Sequence, residues 1–265
     1  NFNMILIEPP QGKPDNLFKQ LSKITKSQGI SKYIYAIYLG WKKLIAIDFL
    51  EKLALKLRPF EKSKGEITRA FQYALAGIDR ANRPKLLASA LRDGQKVMES
   101  SCGNIDKSIP KIGIVGEIFT VLEPFSNCEI QRHLGEMGVS VDRSIYLSDW
   151  LIEHVVKDVV PIFKKSMHPY DLAKPYLRYF VGGHGVETIA STVTYSRQGL
   201  DGVIQVAPFT CMPEIIAQDL LPTVSRDLNI PVMTIVFDEH SSSTGVLTRL
   251  EAFVDMVKMT KRHRG

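Results

Sequence analysis

The residue with the most evident capacity for chemistry is Cys211, which follows a predicted strand. In the segment DGVIQVAPFTCMPE, residues 201–214, the apolar residues of VIQVA are typical of a buried parallel strand. Thr210 as an N-cap and Pro213 in a first turn predict that a helix begins here. Because helix N-termini stabilise thiolates, we expect Cys211 to have a lowered thiol pKa and to bind a metal or act as a nucleophile. The alternative is a buried, inert cysteine, since free cysteine packs as a small hydrophobic residue.

A glycine-rich segment precedes this region of the chain. GGHGVET places Gly182, Gly183, His184 and Gly185 immediately before a predicted helix. Glycines let a ligand approach the backbone closely, and a helix N-terminus favours an anion, so these four residues are candidates for binding a substrate. Glu187 is a candidate catalytic residue, and the alternative is that it only caps the helix.

Acidic residues end two further predicted strands. KIGIVGEIF, residues 111–119, brings Glu117 to a strand end, where its carboxylate could reach a metal, influence a thiolate or cap a helix. PVMTIVFDEH, residues 231–240, ends in Asp238 and Glu239, which we assign as candidate ligands of a substrate or ion. Since adjacent strand residues point to opposite faces, one of this pair is expected to cap a turn.

Three loops, at Gly182–Gly185, Thr210–Pro213 and Asp238–His240, are expected to line one concave surface. In a parallel sheet the C-terminal ends of the strands share one edge, which is where open α/β sheets bind their ligands. The sequence therefore predicts one polar pocket with the glycine loop and residues 238–240 at its sides and Cys211 at its floor. The chain carries neither GxGxxG nor a GK[ST] phosphate loop, which argues against a nicotinamide or ATP site.

Six motifs occur in the order KIGIVGEIF, PFSNCEIQRHLGEMGV, GGHGVET, DGVIQVAPFTCMPE, PVMTIVFDEH and TRLEAF. Together they resemble the 2-hydroxyacyl-CoA dehydratase-like family, in particular the branch labelled CoA-substrate-specific enzyme activase or double-cubane-cluster protein. The resemblance covers residues 111–258, whereas residues 1–110 match only in general character. It implies stacked Rossmann-like domains and an iron–sulfur cluster held by cysteines from more than one domain. It also implies an ATP-hydrolysing activator protein as partner and a reductive, radical-based removal of water from an acyl-CoA.

Cys211 is the position that matches a cluster ligand in this resemblance. The other ligands would lie upstream of Asn1, so we expect this chain alone to hold no stoichiometric cluster. Two alternatives stay open: a non-catalytic interaction or scaffold domain with an inert Cys211, and a small-molecule enzyme with Cys211 as nucleophile and His184 or His240 as base. Whether the chain forms a homo-dimer or a hetero-dimer is also left open.

Composition narrows the class of protein. The chain has 265 residues and a formal net charge of +6, with basic and acidic residues interleaved at helical spacing. A solvated helix face explains this pattern, and we expect no nucleic-acid partner because no nucleic-acid-binding motif accompanies it. The three cysteines include no CxxC pair, which indicates a reducing, cytoplasmic environment. Lys42 and Lys43 interrupt the apolar segment at 33–50, which predicts two packed helices or a buried hairpin and no membrane span.

The order of patterns along the chain predicts an α/β protein with a parallel, flavodoxin- or Rossmann-like sheet after a mostly helical segment. Residues 1–110 are expected to form a strand at 4–8, helices over 16–100 and a linker at 101–110. Within the helices, one apolar stripe is expected at Ile67, Phe71, Ala74, Leu75 and Ile78. This part is expected to be the end of a truncated upstream domain. Residues 111–265 are expected to form the α/β domain with four strands, and Cys102 and Cys128 are expected to be inert.

Overall fold

The computed structural model describes residues 30–106, 108–153 and 169–264. Its helices are α1 (Ile30–Leu57), α2 (Glu66–Arg80), α3 (Pro84–Ser100), α4 (Ile118–Leu122), α5 (Ile130–Glu136), α6 (Leu147–Leu151), α7 (Pro169–Ala173), α8 (Gly185–Arg197), α9 (Met212–Leu228) and α10 (Ser243–Arg264). Its strands are β1 (Lys111–Gly116), β2 (Ser140–Arg143), β3 (Gly202–Pro208) and β4 (Val232–Phe237). The strand predicted for residues 4–8 and the start of the helical segment predicted for 16–100 lie outside the described residues.

The four strands form one parallel sheet in the order β2-β1-β3-β4. This order matches the first four strands of a flavodoxin-like sheet, so the predicted α/β class with a preceding helical segment is confirmed. The order reverses between β1 and β3, which are neighbours in the sheet although β2 lies between them in the chain. A crevice therefore opens at the C-terminal ends of β1 and β3, where such sheets bind ligands.

Helices cover both faces of the sheet. On one face of the sheet α8 and α9 pack together. Val115 of β1 and Tyr195 of α8 are members of one apolar cluster. On the other face α5 and α10 pack against β-strand residues such as Ile114 and Ile204. Both faces are buried because every crossover between parallel strands returns a helix onto the sheet.

The helical segment packs around its own core. Ile67 and Ile78 of α2 face Leu50 of α1 and Met98 of α3, and all four are buried. The predicted apolar stripe of α2 is thereby confirmed. The C-terminal half of α1 also contacts β2 and α6, so this segment lies directly against the α/β part.

The prediction of a hairpin or two helices at 33–50 was wrong. Residues Ile30–Leu57 form a single helix of 28 residues. Gly40 does not break this helix, because one glycine destabilises a helix by only ~1 kcal/mol relative to alanine. Lys43 points to the side and donates to the carbonyl of Asp79 at 2.7 Å. Within the described ranges, no helix combines the length and apolar character needed to cross a membrane.

Several predicted boundaries also shift. β1 ends at Gly116, so α4 begins where residues 117–119 were expected to continue the strand. The N-cap of α9 is Cys211, because Thr210 adopts a left-handed conformation with φ +66° and leads the chain into the turn. Pro213 lies in the first helical turn as predicted.

Gly116 is expected to be the most sensitive glycine of the sheet edge. Its φ is +137°, and a Cβ atom there would lie 1.9 Å from the carbonyl oxygen of Val206. Gly116→Ala is therefore expected to lower the free energy of unfolding by about 3 kcal/mol, because strain and overlap with neighbouring backbone add together. Gly138→Ala is the control, since its φ is +79° but no atom lies within 4 Å. It should cost about 1 kcal/mol from strain alone. Urea unfolding measures both, and equal losses in the two variants would contradict this explanation.

Candidate functional site

A buried polar cluster lies beneath the crevice. Gln205 is a fully buried residue in the middle of β3. Its Nε2 donates to Glu214 Oε2 at 2.8 Å and to the Glu214 carbonyl at 3.0 Å. Thr234 of β4 donates to Gln205 Oε1 at 2.8 Å, which fixes the orientation of the amide. Such complete pairing is what a polar side chain requires inside an otherwise apolar strand.

Glu214 is the centre of this cluster. Its side chain projects from the first turn of α9 and is only 1% exposed. The Thr188 hydroxyl of α8 lies 3.0 and 3.1 Å from its two carboxyl oxygens. Burial raises the pKa of Glu214 from 4.5 to about 7, and the hydrogen bonds from Gln205 and Thr188 oppose this shift. We call Thr188, Gln205, Glu214 and Thr234 the Glu214 cluster.

Cys211 lies one turn before Glu214, as the half-buried N-cap residue of α9. Burial raises the pKa of its thiol, and the charges of Glu214 and Glu117 raise it further. The backbone N–H of Glu214 lowers the pKa but offsets only part of the rise. The prediction of a lowered thiol pKa was therefore wrong, because desolvation and two acids outweigh the helix N-terminus. Burial also raises the pKa of the Cys102 thiol.

Exposed apolar side chains flank Cys211. Phe209 precedes it in the loop after β3 and is 65% exposed, and Met212 follows it and is 64% exposed. Tyr179 and Phe180, in the segment leading to the glycine loop, are exposed as well. Phe209 and Met212 thus present apolar surface to solvent on either side of Cys211 in the chain.

The glycine loop lies on the first turn of α9. A Cβ atom at Gly185 would come within 2.5 Å of the Pro213 carbonyl oxygen, and one at Gly183 within 3.1 Å of the Pro213 ring. Gly182 has φ +84° and lies near the same ring. The structure thus brings residues 182–185 onto the helical turn that follows Cys211, and no strand immediately precedes this loop.

His184 and Glu187 line a cavity of about 110 Å³ together with Tyr146 and Trp150, and Cys211 is not among the residues of its wall. Oε2 of Glu187 is buried and finds no donor in the part of the chain that the structure describes. The charge of Glu187 nevertheless contributes to the raised pKa of Glu214, so the two carboxylates influence one another across α8.

Glu117 acts as a helix cap, one of the alternatives considered for it. It is the N-cap residue of α4, and its Oε2 accepts from the backbone N–H of Thr120 at 2.9 Å and from the Thr120 hydroxyl at 3.1 Å. Its charge also helps to raise the pKa values of Cys211 and Glu214. Glu117 therefore belongs to the electrostatic surroundings of the crevice.

Asp238 and Glu239 line a cavity of about 460 Å³ together with Cys128 and Phe125, and Cys211 is absent from its wall. That these acids share one concave surface with Cys211 stays a prediction. Asp238 caps its own turn, accepting from the backbone N–H of His240 at 3.0 Å. Cys211 lies outside this cavity because the chain turns to one face of the sheet after β3 and to the other face after β1 and β4.

The described residues do not by themselves complete a metal site. Across residues 30–106, 108–153 and 169–264, no three His, Cys, Asp or Glu side chains converge as metal ligands would. Cys211 is therefore one candidate ligand, with the carboxyl groups of Glu117 and Glu214 as its charged neighbours.

Gln205 is the residue whose type, in the sequence alone, indicates the Glu214 cluster. Gln205 interrupts an otherwise apolar strand, and a buried amide requires partners. Its partners Thr188 and Glu214 lie on two different helices, so their distance from Gln205 could not be read from local spacing.

No protein-family model matches the chain, and no curated protein matches it either. The resemblance to the 2-hydroxyacyl-CoA dehydratase-like family accordingly rests on the six motifs themselves.

The raised pKa of Glu214 predicts a pH-dependent stability. A carboxyl group whose pKa is 4.5 when unfolded and about 7 when folded stabilises the fold below pH 4.5 and loses that contribution as the pH rises through 7. Glu214→Gln mimics the protonated form of the carboxyl group. Between about pH 5 and pH 8 the free energy of unfolding of this variant should therefore fall less than that of the unmodified protein. The difference between the two falls should be about 3 kcal/mol at most. Urea unfolding at several pH values measures this.

Asp219→Asn, an exposed change on the same helix α9, is the control and should keep the pH dependence of the unmodified protein. If Glu214→Gln and the unmodified protein lose stability equally over this pH range, Glu214 is not the buried titrating group.

Proposed function

We propose that this chain is a component of an iron–sulfur electron-transfer or reductase system of the 2-hydroxyacyl-CoA dehydratase-like type, in which Cys211 supplies one thiolate ligand. The observation that carries the proposal is the position of Cys211, half-buried at the N-terminus of α9 in the crevice between β1 and β3. Open α/β sheets bind their ligands in this crevice, and thiolate sulfur is the ligand that iron–sulfur clusters use.

One cysteine does not hold such a cluster, and the described residues offer no further group of ligands. The proposal therefore requires the remaining ligands to come from outside the described ranges or from another polypeptide. The raised thiol pKa fits a ligand that is protonated until a metal ion displaces its proton, because a coordinating thiol is deprotonated outright.

The surface around the thiol supports a shared site. Phe209 and Met212, which flank Cys211 in the chain, are exposed, and large exposed apolar side chains around a polar group are typical of surfaces that contact another protein segment. The resemblance adds an ATP-hydrolysing activator protein as the electron-donating partner and an acyl-CoA as substrate. The absence of a CxxC pair among the three cysteines favours a cytoplasmic location.

A second candidate function is a non-catalytic interaction or scaffold domain with an inert Cys211. The raised pKa of the thiol favours it, since a protonated thiol reacts slowly. A cysteine nucleophile is less well supported, because the charged groups that act on the thiol are the acids Glu214 and Glu117 rather than a histidine.

Anaerobic incubation of the chain with ferrous iron and sulfide, followed by metal and sulfide analysis, tests the proposal. We expect less than one stoichiometric cluster per chain, because one ligand is too few. The iron that does bind should depend on the thiol, so Cys211→Ser should reduce it while Cys102→Ser should leave it unchanged. A stable four-iron cluster on each chain, or full iron binding by Cys211→Ser, would contradict the proposal.

Iodoacetamide modification of the folded chain separates the scaffold hypothesis from the redox hypothesis. Cys211 should become alkylated at alkaline pH, since it is half-buried and its thiolate forms there. If peptide mass spectrometry finds Cys211 unmodified at every pH at which the chain stays folded, the inert alternative is the better explanation.

A further inference from the structure

A cavity of about 400 Å³ lies between α1, β2 and α8. Its wall includes two lysines of α1, Asp142 of β2, Tyr146 just after β2 and Tyr195 of α8. We call it the tyrosine cavity. Neither Cys211 nor any member of the Glu214 cluster belongs to its wall, so it is separate from the site described above.

Two tyrosines of this wall are buried except at their hydroxyl ends. Tyr146 and Tyr195 are each only 5% exposed. Within the described part of the chain neither hydroxyl makes a hydrogen bond, yet neither oxygen is among the unpaired atoms that solvent cannot reach. Solvent in the cavity therefore reaches both oxygens. A tyrosine hydroxyl in a largely buried side chain normally has a partner, so these two groups are open to water or to a ligand.

The rings that carry these hydroxyls are fixed by their surroundings. Tyr195 lies against β1 at Gly113, where a Cβ atom would overlap its ring. Lys52 Nζ lies 4.1 Å and Arg143 Cζ 4.3 Å from the centroid of the Tyr146 ring. Both hydroxyls are therefore positioned before any ligand arrives, which lowers the entropic cost of binding.

Asp142 lies near both hydroxyls. It is the register partner of Gly113, on which the Tyr195 ring rests. Burial raises the pKa of Tyr195 and of Tyr146, and the charge of Asp142 raises both further. Both phenols are thus neutral over the physiological pH range, and each offers an O–H donor and an acceptor oxygen beside a carboxylate that only accepts.

Two serines add further hydroxyls to the wall. Ser144, which follows β2, and Ser191 of α8 both line the cavity. Among the residues that the structure describes, neither side chain donates or accepts a hydrogen bond, and neither oxygen is closed to solvent. The cavity therefore presents four hydroxyl groups without protein partners.

The charges of the wall balance. Lys52 Nζ lies 3.2 Å from Asp149 Oδ2, and Arg143 is paired with a carboxylate of α1. Lys56 and Asp142 then remain, one of each sign, and neither forms a salt bridge within the described ranges. A wall with hydroxyls and no excess charge favours a neutral ligand over an anion or a cation.

We propose that the tyrosine cavity binds a neutral polyhydroxyl compound of the size of a monosaccharide or a cyclic polyol. Hydroxyl groups of the ligand would exchange hydrogen bonds with Tyr146, Tyr195 and Ser191, and one would donate to Asp142. Each ligand hydroxyl both donates and accepts, which is what the wall requires. The volume of about 400 Å³ lies within the ~300–1,000 Å³ typical of small-molecule sites.

Saturation-transfer NMR of the full chain with D-glucose, D-ribose and myo-inositol as probes tests the proposal. At least one of the three should give a saturable signal. Tyr195→Phe should weaken that binding about fivefold, because it removes one neutral hydrogen bond and leaves the ring in place. Tyr73→Phe, a change at a tyrosine of α2 that is 56% exposed, is the matched control and should leave the affinity unchanged.

Ser191→Ala gives a second test that does not depend on the folding of Tyr195→Phe, and it should also weaken binding about fivefold. The proposal is overturned if none of the three probes gives a saturable signal, which indicates a cavity filled by water alone. It is also overturned if both variants bind as tightly as the unmodified chain.

Salt and phosphate separate a neutral ligand from an anion. Raising sodium chloride from ~50 to ~300 mM should leave the affinity for the probe unchanged, because screening acts on charged groups. An excess of inorganic phosphate should not displace the probe. Displacement by phosphate would overturn the assignment of a neutral ligand. Cys211→Ser should bind the probe as the unmodified chain does, since Cys211 takes no part in this site.

Discussion

The burial of one carboxyl group, that of Glu214, determines how the parts around the crevice fit together. A carboxyl group removed from water must find its hydrogen bonds inside the protein, and here they come from Thr188 on α8 and Gln205 on β3. Gln205 is itself held by Thr234 on β4. Because these contacts join two helices and two strands, they fix where α9 begins and therefore where Cys211 lies.

Burial raises the pKa of the Cys211 thiol, and the charge of the same carboxyl group raises it further. A helix N-terminus favours a thiolate, but its effect is modest at a half-exposed site, and Cys211 also faces desolvation and the charges of Glu214 and Glu117. The thiol therefore stays protonated more readily than a free cysteine. This arrangement suits a ligand whose charge is supplied by a bound metal better than a nucleophile that must ionise unaided.

Patterns that depend on neighbouring residues predicted the fold well. The apolar runs gave β3 and β4, and the stripe with Ile67 and Ile78 gave the packed face of α2. What could not be predicted depends on contacts between distant segments. The partners of Gln205 lie on other elements, and the helix after β4 packs on the opposite face of the sheet from the helix that Cys211 caps.

The rate of Cys211 alkylation as a function of pH, in the unmodified chain and in Glu214→Gln, tests most directly whether the buried carboxyl group governs the thiol. Peptide mass spectrometry can follow Cys211 separately from the other two cysteines. We expect the thiol of the unmodified chain to ionise above the ordinary pKa of a free cysteine, and Glu214→Gln to move that ionisation to lower pH. An ionisation below the ordinary value, or one that Glu214→Gln leaves unchanged, would contradict this view of the site.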